Sequence, residues 1–162
     1  MKYYLSLGSN MGDSGAILAS AVRGIGSHVG TVVKESSVYR TAPWGFEAEN
    51  DFLNSAIIVD SAMLPHEVMS VLLEIERQWG RVRPNGNAGY SSRPLDIDII
   101  FAASEVIDTA DVTVPHPRAH LRRFVLEPMA EIAPDFIHPV LGKSMEQLLA
   151  ECPDESRAVR LG

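Results

Sequence analysis

The sequence is poor in cysteine and in positive charge. Its single cysteine, Cys152, cannot form a disulfide within the chain, so the fold does not depend on an oxidising compartment. Its 14 lysines and arginines are outnumbered by 21 aspartates and glutamates, which gives a formal net charge of −7. Broad binding to nucleic acids or anionic membranes needs a basic face, and this balance argues against it. An anionic small substrate remains compatible, because a local cluster of arginines can oppose the global sign.

Long apolar runs and a phosphate-binding P-loop are also missing. No stretch approaches the length of a transmembrane helix, and the residues before Gly8 are too few for a signal peptide. We therefore expect a cytoplasmic protein. The stretch from Gly8 to Gly15 superficially resembles a phosphate cradle, but no Lys-Ser/Thr follows it. The Gly-Lys-Ser at Gly142–Ser144 has Ile137 where a P-loop needs its first glycine, so the full P-loop motif is absent. If the protein handles ATP, metal ions and arginines must neutralise the phosphates.

The order of apolar patterns predicts one domain over residues 1–162, of the α+β class. Apolar residues at 46% and charged residues at 22% are typical of a chain with a real core. Strands are predicted at Lys2–Leu7, Thr31–Arg40, Phe52–Asp60 and Pro94–Phe101, with a helix after the first and after the third. This β-α-β-β-α-β order is that of a ferredoxin-like sandwich with an antiparallel sheet, strands one and three being central. Both helices would cover one face and leave the other open for a site. A small hairpin, two short helices and a loose C-terminus follow.

Two aspartates lie in the last of these strands. Asp96 and Asp98 alternate with Leu95, Ile97 and Ile99, so both carboxylates project from the same face. The ordinary interpretation is an exposed face with two solvated acids, which is the commoner outcome for a bare Asp-x-Asp. The functional interpretation is a Mg²⁺ site, because neighbouring carboxylates repel unless a cation lies between them, and Mg²⁺ completes its shell with water and phosphates.

Arginines cluster around the predicted metal pair. Arg81 and Arg83 follow a helix end, where they could simply cap the helix dipole. That explanation does not cover Arg93, which comes directly before the aspartate strand. Arginine forks bind phosphate oxygens bidentately, so mobile arginines could close over a polyphosphate. His116, held between two prolines, is a further candidate for phosphate contact.

Aromatic and amide side chains suggest a slot for a flat ring. Trp44, Phe52 and Phe124 would each be explained by core packing if taken singly. Together with Asn54, which can donate and accept hydrogen bonds at once, they could stack and read a heterocycle.

Six separated motifs, in order, resemble the 6-hydroxymethyl-7,8-dihydropterin pyrophosphokinase family of the folate pathway. They are Leu7–Asn10, Ser37–Thr41, Asp51–Asn54, Glu76 with Gly80–Arg83, Arg93–Asp98, and Val114–His116 with Arg122 and Phe124. The resemblance extends from the first strand to about Pro139 and implies the same ferredoxin-like fold. It also implies transfer of a pyrophosphoryl group from ATP to the pterin hydroxymethyl group, with release of AMP.

The resemblance implies a role for each site residue. Two Mg²⁺ ions bridging the ATP phosphates would be held by Asp96 and Asp98, which with Arg81 and Arg93 form the catalytic set. Contacts to ATP would come from Glu76, Arg83, Tyr90, His116 and Arg122. The pterin would lie against Thr41, Ala42, Trp44, Phe52, Asn54 and Phe124. We expect a monomer whose partners are these two small molecules.

The chain departs from the family pattern near two of the loops. Tyr90-Ser-Ser-Arg93 stands where aromatic-Gly-Pro-Arg is usual, and Ala42 and Trp44 replace the usual proline and aliphatic residue. Two other functions stay open on the residues alone. One is a Mg²⁺-dependent phosphohydrolase that uses the same aspartates, and the other is a non-catalytic ferredoxin-like binding module.

Overall fold

The computed structural model describes residues 1–10, 13–41, 52–79 and 94–161. Within these ranges the chain forms an α+β fold in which helices pack on an antiparallel sheet. The strands are β1 (Lys2–Ser9), β2 (Thr31–Glu35), β3 (Val38–Thr41), β4 (Phe52–Asp60), β5 (Asp96–Ala102), β6 (Ile107–Asp108), β7 (Thr113–Val114) and β8 (Ala158–Leu161). The helices are α1 (Ser14–His28), α2 (Pro65–Gln78), α3 (Arg123–Ile132) and α4 (Met145–Ala150), with a short 3-10 helix at Ala119–Leu121.

The main sheet has the strand order β5-β1-β4-β3-β8, and β2 also pairs with β4. The first and third predicted strands correspond to β1 and β4. β1 lies between β5 and β4, and β4 lies between β1 and β3, so the prediction that both are central is confirmed. Both central strands are buried along nearly their whole length, including three consecutive apolar residues of β4, Ile57, Ile58 and Val59. Such runs are typical of strands that are covered on both faces.

The predicted strand Thr31–Arg40 is two strands, not one. It is interrupted at Ser36 and Ser37, and both halves pair antiparallel with β4. At the break the Ser36 hydroxyl accepts a hydrogen bond from Ala56 N at 2.8 Å, and Ser36 N donates to Ala56 O at 2.9 Å. A side chain thus replaces a regular ladder contact, which allows the strand to bend while its buried polar groups stay paired.

Helices α1 and α2 cover one face of the sheet, as the sequence predicts. Asp13 caps α1 by accepting a hydrogen bond from Ala16 N at 3.2 Å. Pro65 occupies the first turn of α2, where the missing N–H is no loss. The core of this layer is formed by inward-facing side chains of both helices and three strands, among them Leu5, Leu7, Leu18, Ile25, Ile57, Val68, Leu72, Ile97 and Ile99.

The other face is not open along its whole length, which corrects the expectation. Helices α3 and α4 cover one end of it, where Val125 and Met129 pack against Tyr4, Ile58 and Phe101. The burial has an evident cause, since that end of each strand carries large apolar side chains. The Ser144–Gln147 capping box predicted for α4 and the hairpin β6–β7 are both confirmed.

The C-terminus is not loose, contrary to the expectation. Residues Ala158–Leu161 form β8 and pair antiparallel with β3. Without β8 this edge of β3 would present unpaired backbone groups to solvent. Among the helices in the described ranges, none combines the length and apolar character needed to cross a bilayer.

Candidate active site

The predicted site residues in the sheet converge on one end of it. Strand β1 ends there, whereas its antiparallel neighbours β4 and β5 begin there. Gly8 of β1 is the cross-strand partner of both Asn54 of β4 and Asp96 of β5. Thr41, at the end of β3, is likewise paired with Phe52. Asp96, Gly8 and Asn54 thus form one cross-strand row, and Phe52 and Thr41 form a second row beside it.

The shared orientation of Asp96 and Asp98 is confirmed. Ile97 and Ile99 point into the core beneath α1 and α2, so the two half-buried aspartates face the opposite way. In the described ranges, no group of three or more His, Cys, Asp or Glu side chains is arranged to hold a metal. Two same-face carboxylates fit a hard cation that takes its other ligands from water and phosphate, which is the behaviour of Mg²⁺.

Glu76 fixes the aspartate strand from the core side. Its side chain is only 3% exposed, and its Oε2 accepts a hydrogen bond of 2.7 Å from Ile97 N, between the two aspartates. The bond satisfies a buried backbone N–H, which would cost stability if it had no partner. The contact of Glu76 with ATP stays a prediction, while its link to β5 is a second role that spacing in the sequence did not reveal.

His116 and Arg122 lie close to Asp96. His116 N donates to Ile100 O at 3.0 Å, which attaches this loop to β5. Burial lowers the pKa of the His116 ring, Arg122 lowers it further, and Asp96 opposes both effects. The ring accepts a hydrogen bond from Arg118 N at its Nδ1, so the neutral form carries its proton on Nε2. That N–H and the Arg122 guanidinium form a donor pair suited to phosphate oxygens.

Asn54 and Thr41 are held to each other. Both are buried, and the Asn54 Nδ2 donates to Thr41 Oγ1 at 2.9 Å. This bond fixes which way the amide points, so the remaining amide oxygen lies over Gly8. A fixed buried amide is the kind of group that reads the edge of a heterocycle.

Phe124 lies in the first turn of α3, and the Arg122 guanidinium carbon is 5.7 Å from the centre of its ring. At this distance a guanidinium interacts favourably with an aromatic face. The α3 helix packs on β4, the strand that carries Phe52 and Asn54.

Six predicted site residues lie outside the described residues. They are Ala42, Trp44, Arg81, Arg83, Tyr90 and Arg93.

Gly8 lies between two predicted site residues, Asn54 and Asp96, and the sequence-based set did not include it. A Cβ on Gly8 would lie 3.0 Å from Asn54 Oδ1, which is tighter than most contacts of real Cβ atoms. The signal was present in the sequence, since a glycine at the end of a buried strand often marks a close approach of another group.

The sequence matches proteins of one enzyme family. Residues 4–134 match the family model described as 7,8-dihydro-6-hydroxymethylpterin-pyrophosphokinase. Three relatives carry the name 2-amino-4-hydroxy-6-hydroxymethyldihydropteridine pyrophosphokinase. The protein of Methylorubrum extorquens is 39% identical over 149 residues, 91% of this chain and 91% of the relative. That of Porphyromonas gingivalis is 36% identical over 137 residues, which cover 84% of this chain and 92% of the relative. That of Bacillus subtilis is 40% identical over 130 residues, which cover 80% of this chain and 76% of the relative.

Solved structures share the fold at much lower identity. The wild-type HPPK-DHPS protein of Plasmodium falciparum superposes with a TM-score of 0.73 at 14% identity, over 93% of this chain and 43% of the longer one. Our chain thus spans less than half of that protein, and the likeness concerns the fold. The matched residues and the identities to the three shorter relatives establish that the chain belongs to the 7,8-dihydro-6-hydroxymethylpterin-pyrophosphokinase family.

Proposed function

We propose that the protein transfers the pyrophosphoryl group of ATP to the hydroxymethyl oxygen of 6-hydroxymethyl-7,8-dihydropterin, releasing AMP, as a step of folate biosynthesis. The observation that carries this is the row Asp96–Gly8–Asn54 across three strands. It sets a carboxylate suited to a phosphate-bound cation two strands away from an oriented amide suited to a heterocycle. A reaction between a nucleotide and a pterin needs both groups within one site.

The amide side of this row would bind the pterin. Asn54, fixed by Thr41, would read the ring edge, and Phe52 and Phe124 would stack on its faces. Ala42 and Trp44, which follow Thr41 in the sequence, complete the proposed set. Where these groups bind the ground state and the transition state equally, they would lower the pterin KM. By placing the hydroxymethyl oxygen correctly for attack, they would raise kcat.

The carboxylate side would bind ATP. Asp96 and Asp98 would hold two Mg²⁺ ions, and these ions, when bound, would neutralise phosphate charge and polarise the transferred group. His116, Arg122, Arg81, Arg83 and Arg93 would contact phosphate oxygens, with Tyr90 and Glu76 near the nucleotide. Clustered arginines in a protein of net charge −7 supply locally the positive potential that the whole surface lacks.

The chemistry requires no nucleophilic side chain. The pterin alcohol oxygen attacks the β-phosphorus, the bond from that phosphorus to the bridging oxygen of the α-phosphate breaks, and AMP leaves with that oxygen. The hydroxyl proton is released to solvent as the new P–O bond forms. The protein contributes in-line positioning and electrostatic stabilisation. Closed loops would exclude water and so limit wasteful hydrolysis.

The proposal includes a single domain that acts as a cytoplasmic monomer on these two small molecules. An AMP-release assay with ATP, Mg²⁺ and the hydroxymethyl-dihydropterin, each omitted in turn, tests the activity. We expect AMP only when all three are present. Phosphate release from ATP without pterin would instead favour a Mg²⁺-dependent phosphohydrolase.

A further inference from the structure

The segment after α4, residues 152–161, is here called the C-terminal tail. Its even-numbered members up to Ala158 are half-buried, and the odd-numbered members between them are exposed. That alternation is typical of extended chain lying on a surface. The family match ends at residue 134, so no part of the tail contributes to it.

Asp154 attaches the tail to the start of α3. Its Oδ2 accepts a hydrogen bond of 3.0 Å from Arg123 N, and its backbone oxygen accepts one of 2.9 Å from Arg123 Nε. Its Oδ1 accepts bonds from Ser156 N at 2.9 Å and Ser156 Oγ at 2.6 Å. Burial alone would raise the pKa of Asp154, but these bonds and the Arg123 charge lower it. The carboxylate is therefore ionised and caps the first turn of α3.

Strand β8 attaches the tail to β3. Ala158 pairs with Thr41, the last residue of β3. Farther along, Arg160 Nε donates to Ser37 Oγ at 2.9 Å. Arg160 Nη2 lies 3.8 Å from Oε2 of Glu131 in α3. Glu131 in turn accepts a 2.6 Å hydrogen bond from the Tyr39 hydroxyl. The tail, β3 and α3 thus form one connected polar network.

These two attachments bear on two parts of the proposed pterin slot. Asp154 holds the helix turn that carries Phe124, and β8 holds the strand that ends at Thr41. Only three residues separate Asp154 from Ala158, and a four-step link spans at most about 14 Å when fully extended. The link is short, and the bonds from Ser156 to Asp154 Oδ1 restrict it further. Separation of the α3 start from the end of β3 is therefore limited by the tail.

We propose that Asp154 is a positioning residue for pterin binding, which sets the distance of Phe124 from Thr41 through the tail. This inference rests on the proposed function, because it assumes that Thr41 and Phe124 contact the pterin. Asp154 itself touches neither substrate. Its loss should loosen the slot and weaken pterin binding more than ATP binding, because Arg122 is the one proposed phosphate contact that adjoins α3.

The test compares Asp154→Ala with the matched control Glu155→Ala, which removes an exposed acid from the adjacent position. Steady-state AMP release gives KM for the pterin at saturating ATP, KM for ATP at saturating pterin, and kcat. We expect Asp154→Ala to raise the pterin KM about fivefold, the size of one lost hydrogen bond, because one of the three carboxylate bonds, that from Arg123 N, holds α3. The ATP KM should change less than about twofold, and Glu155→Ala should match the wild type.

The outcomes separate the inference from the proposed function. An unchanged pterin KM in Asp154→Ala, or a fall in kcat alone, would overturn the positioning role while leaving the activity intact. Wild-type protein that shows no pterin-dependent AMP release would overturn the proposed function, and the inference with it. If Asp154→Ala does not fold, Asp154→Asn decides by the same readouts. Its single carbonyl oxygen can accept from Arg123 N or from Ser156 but cannot replace both carboxylate oxygens. A smaller rise in pterin KM is therefore expected, and no rise would overturn the inference.

Discussion

Adding one methyl group at Gly8 should separate pterin binding from stability. In Gly8→Ala the new Cβ would lie 3.0 Å from Asn54 Oδ1, and the neighbour must move by a few tenths of an ångström. The other nearby atom, Leu53 O, is 3.9 Å away and need not move. The Asn54 amide would therefore rotate or shift away from the sheet, and its 2.9 Å bond to Thr41 Oγ1 would weaken.

The size of the effect follows from one displaced amide. A net hydrogen bond contributes about 0.5–1.5 kcal/mol, which corresponds to about a two- to tenfold rise in the pterin KM. The folded state should lose little, because alanine in place of glycine restricts the unfolded chain and gains about 0.4–1 kcal/mol at a compatible site. We expect the free energy of unfolding of Gly8→Ala to stay within about 1 kcal/mol of the wild type.

The assay pairs the pterin KM from AMP release with urea unfolding. Gly24→Ala in α1 is the control, since its Cβ would meet Ile75 Cδ1 at an ordinary 3.7 Å. That variant should be stabilised without a change in pterin KM. The double variant Gly8→Ala/Asn54→Ala tests whether the effect acts through the Asn54 amide. Gly8→Ala should not raise the pterin KM further once that amide is removed. Folded Gly8→Ala protein with a wild-type pterin KM would refute the role of Gly8.

Three further predictions concern the metal pair, its support and acid stability. Asp96→Asn or Asp98→Asn should lower kcat at least about 100-fold without lowering Tm, since neutralising one of two adjacent acids relieves repulsion. Glu76→Ala should lower the free energy of unfolding in urea by about 1–3 kcal/mol. Ile97 N, which donates to Glu76 Oε2 at 2.7 Å, would be left without its acceptor. Glu76→Gln keeps an acceptor oxygen and should largely restore stability. Burial and the neighbouring His120 lower the pKa of His138, so Tm should fall as pH drops below about 6.5, where the unfolded chain takes up the proton first.

Each of these has a contradicting result. A Tm loss of many degrees in Asp96→Asn would indicate a structural role for the carboxylate. Wild-type stability in Glu76→Ala would show that β5 does not need the bond. His138 Nδ1 accepts backbone N–H bonds from Val140 and Leu141, both at 3.1 Å, and asparagine can replace this acceptor without titrating. An equal pH slope in His138→Asn would therefore refute the assignment to His138.

The central fold was predictable because local patterns and global packing agree. The limits Phe52–Asp60 of β4 match the prediction, since turn residues and an acidic loop bound a strongly apolar run. The orientation of Asp96 and Asp98 was predictable for an equally local reason, the two-residue period of a strand. The Ser144–Gln147 cap was recognisable because its pattern lies within four residues.

Other features depend on contacts between distant parts of the chain. The tail has no strong strand pattern of its own, and β8 forms because the edge of β3 offers backbone partners. The cover provided by α3 and α4 was missed because a helix pattern does not state which face of the sheet it covers. The bond from Glu76 to Ile97 N joins residues 21 positions apart, and no spacing rule predicts a side chain reaching into a neighbouring strand.

Pterin-dependent release of AMP measures the proposed chemistry most directly. Wild-type protein, Asp98→Asn and Asn54→Ala should be compared with ATP and Mg²⁺ in the presence and absence of the hydroxymethyl-dihydropterin. We expect AMP from the wild type only with pterin, a kcat loss of at least about 100-fold in Asp98→Asn, and chiefly a raised pterin KM in Asn54→Ala. AMP or phosphate release that is independent of the pterin, or unaffected by Asp98→Asn, would contradict a site built from this carboxylate and this amide.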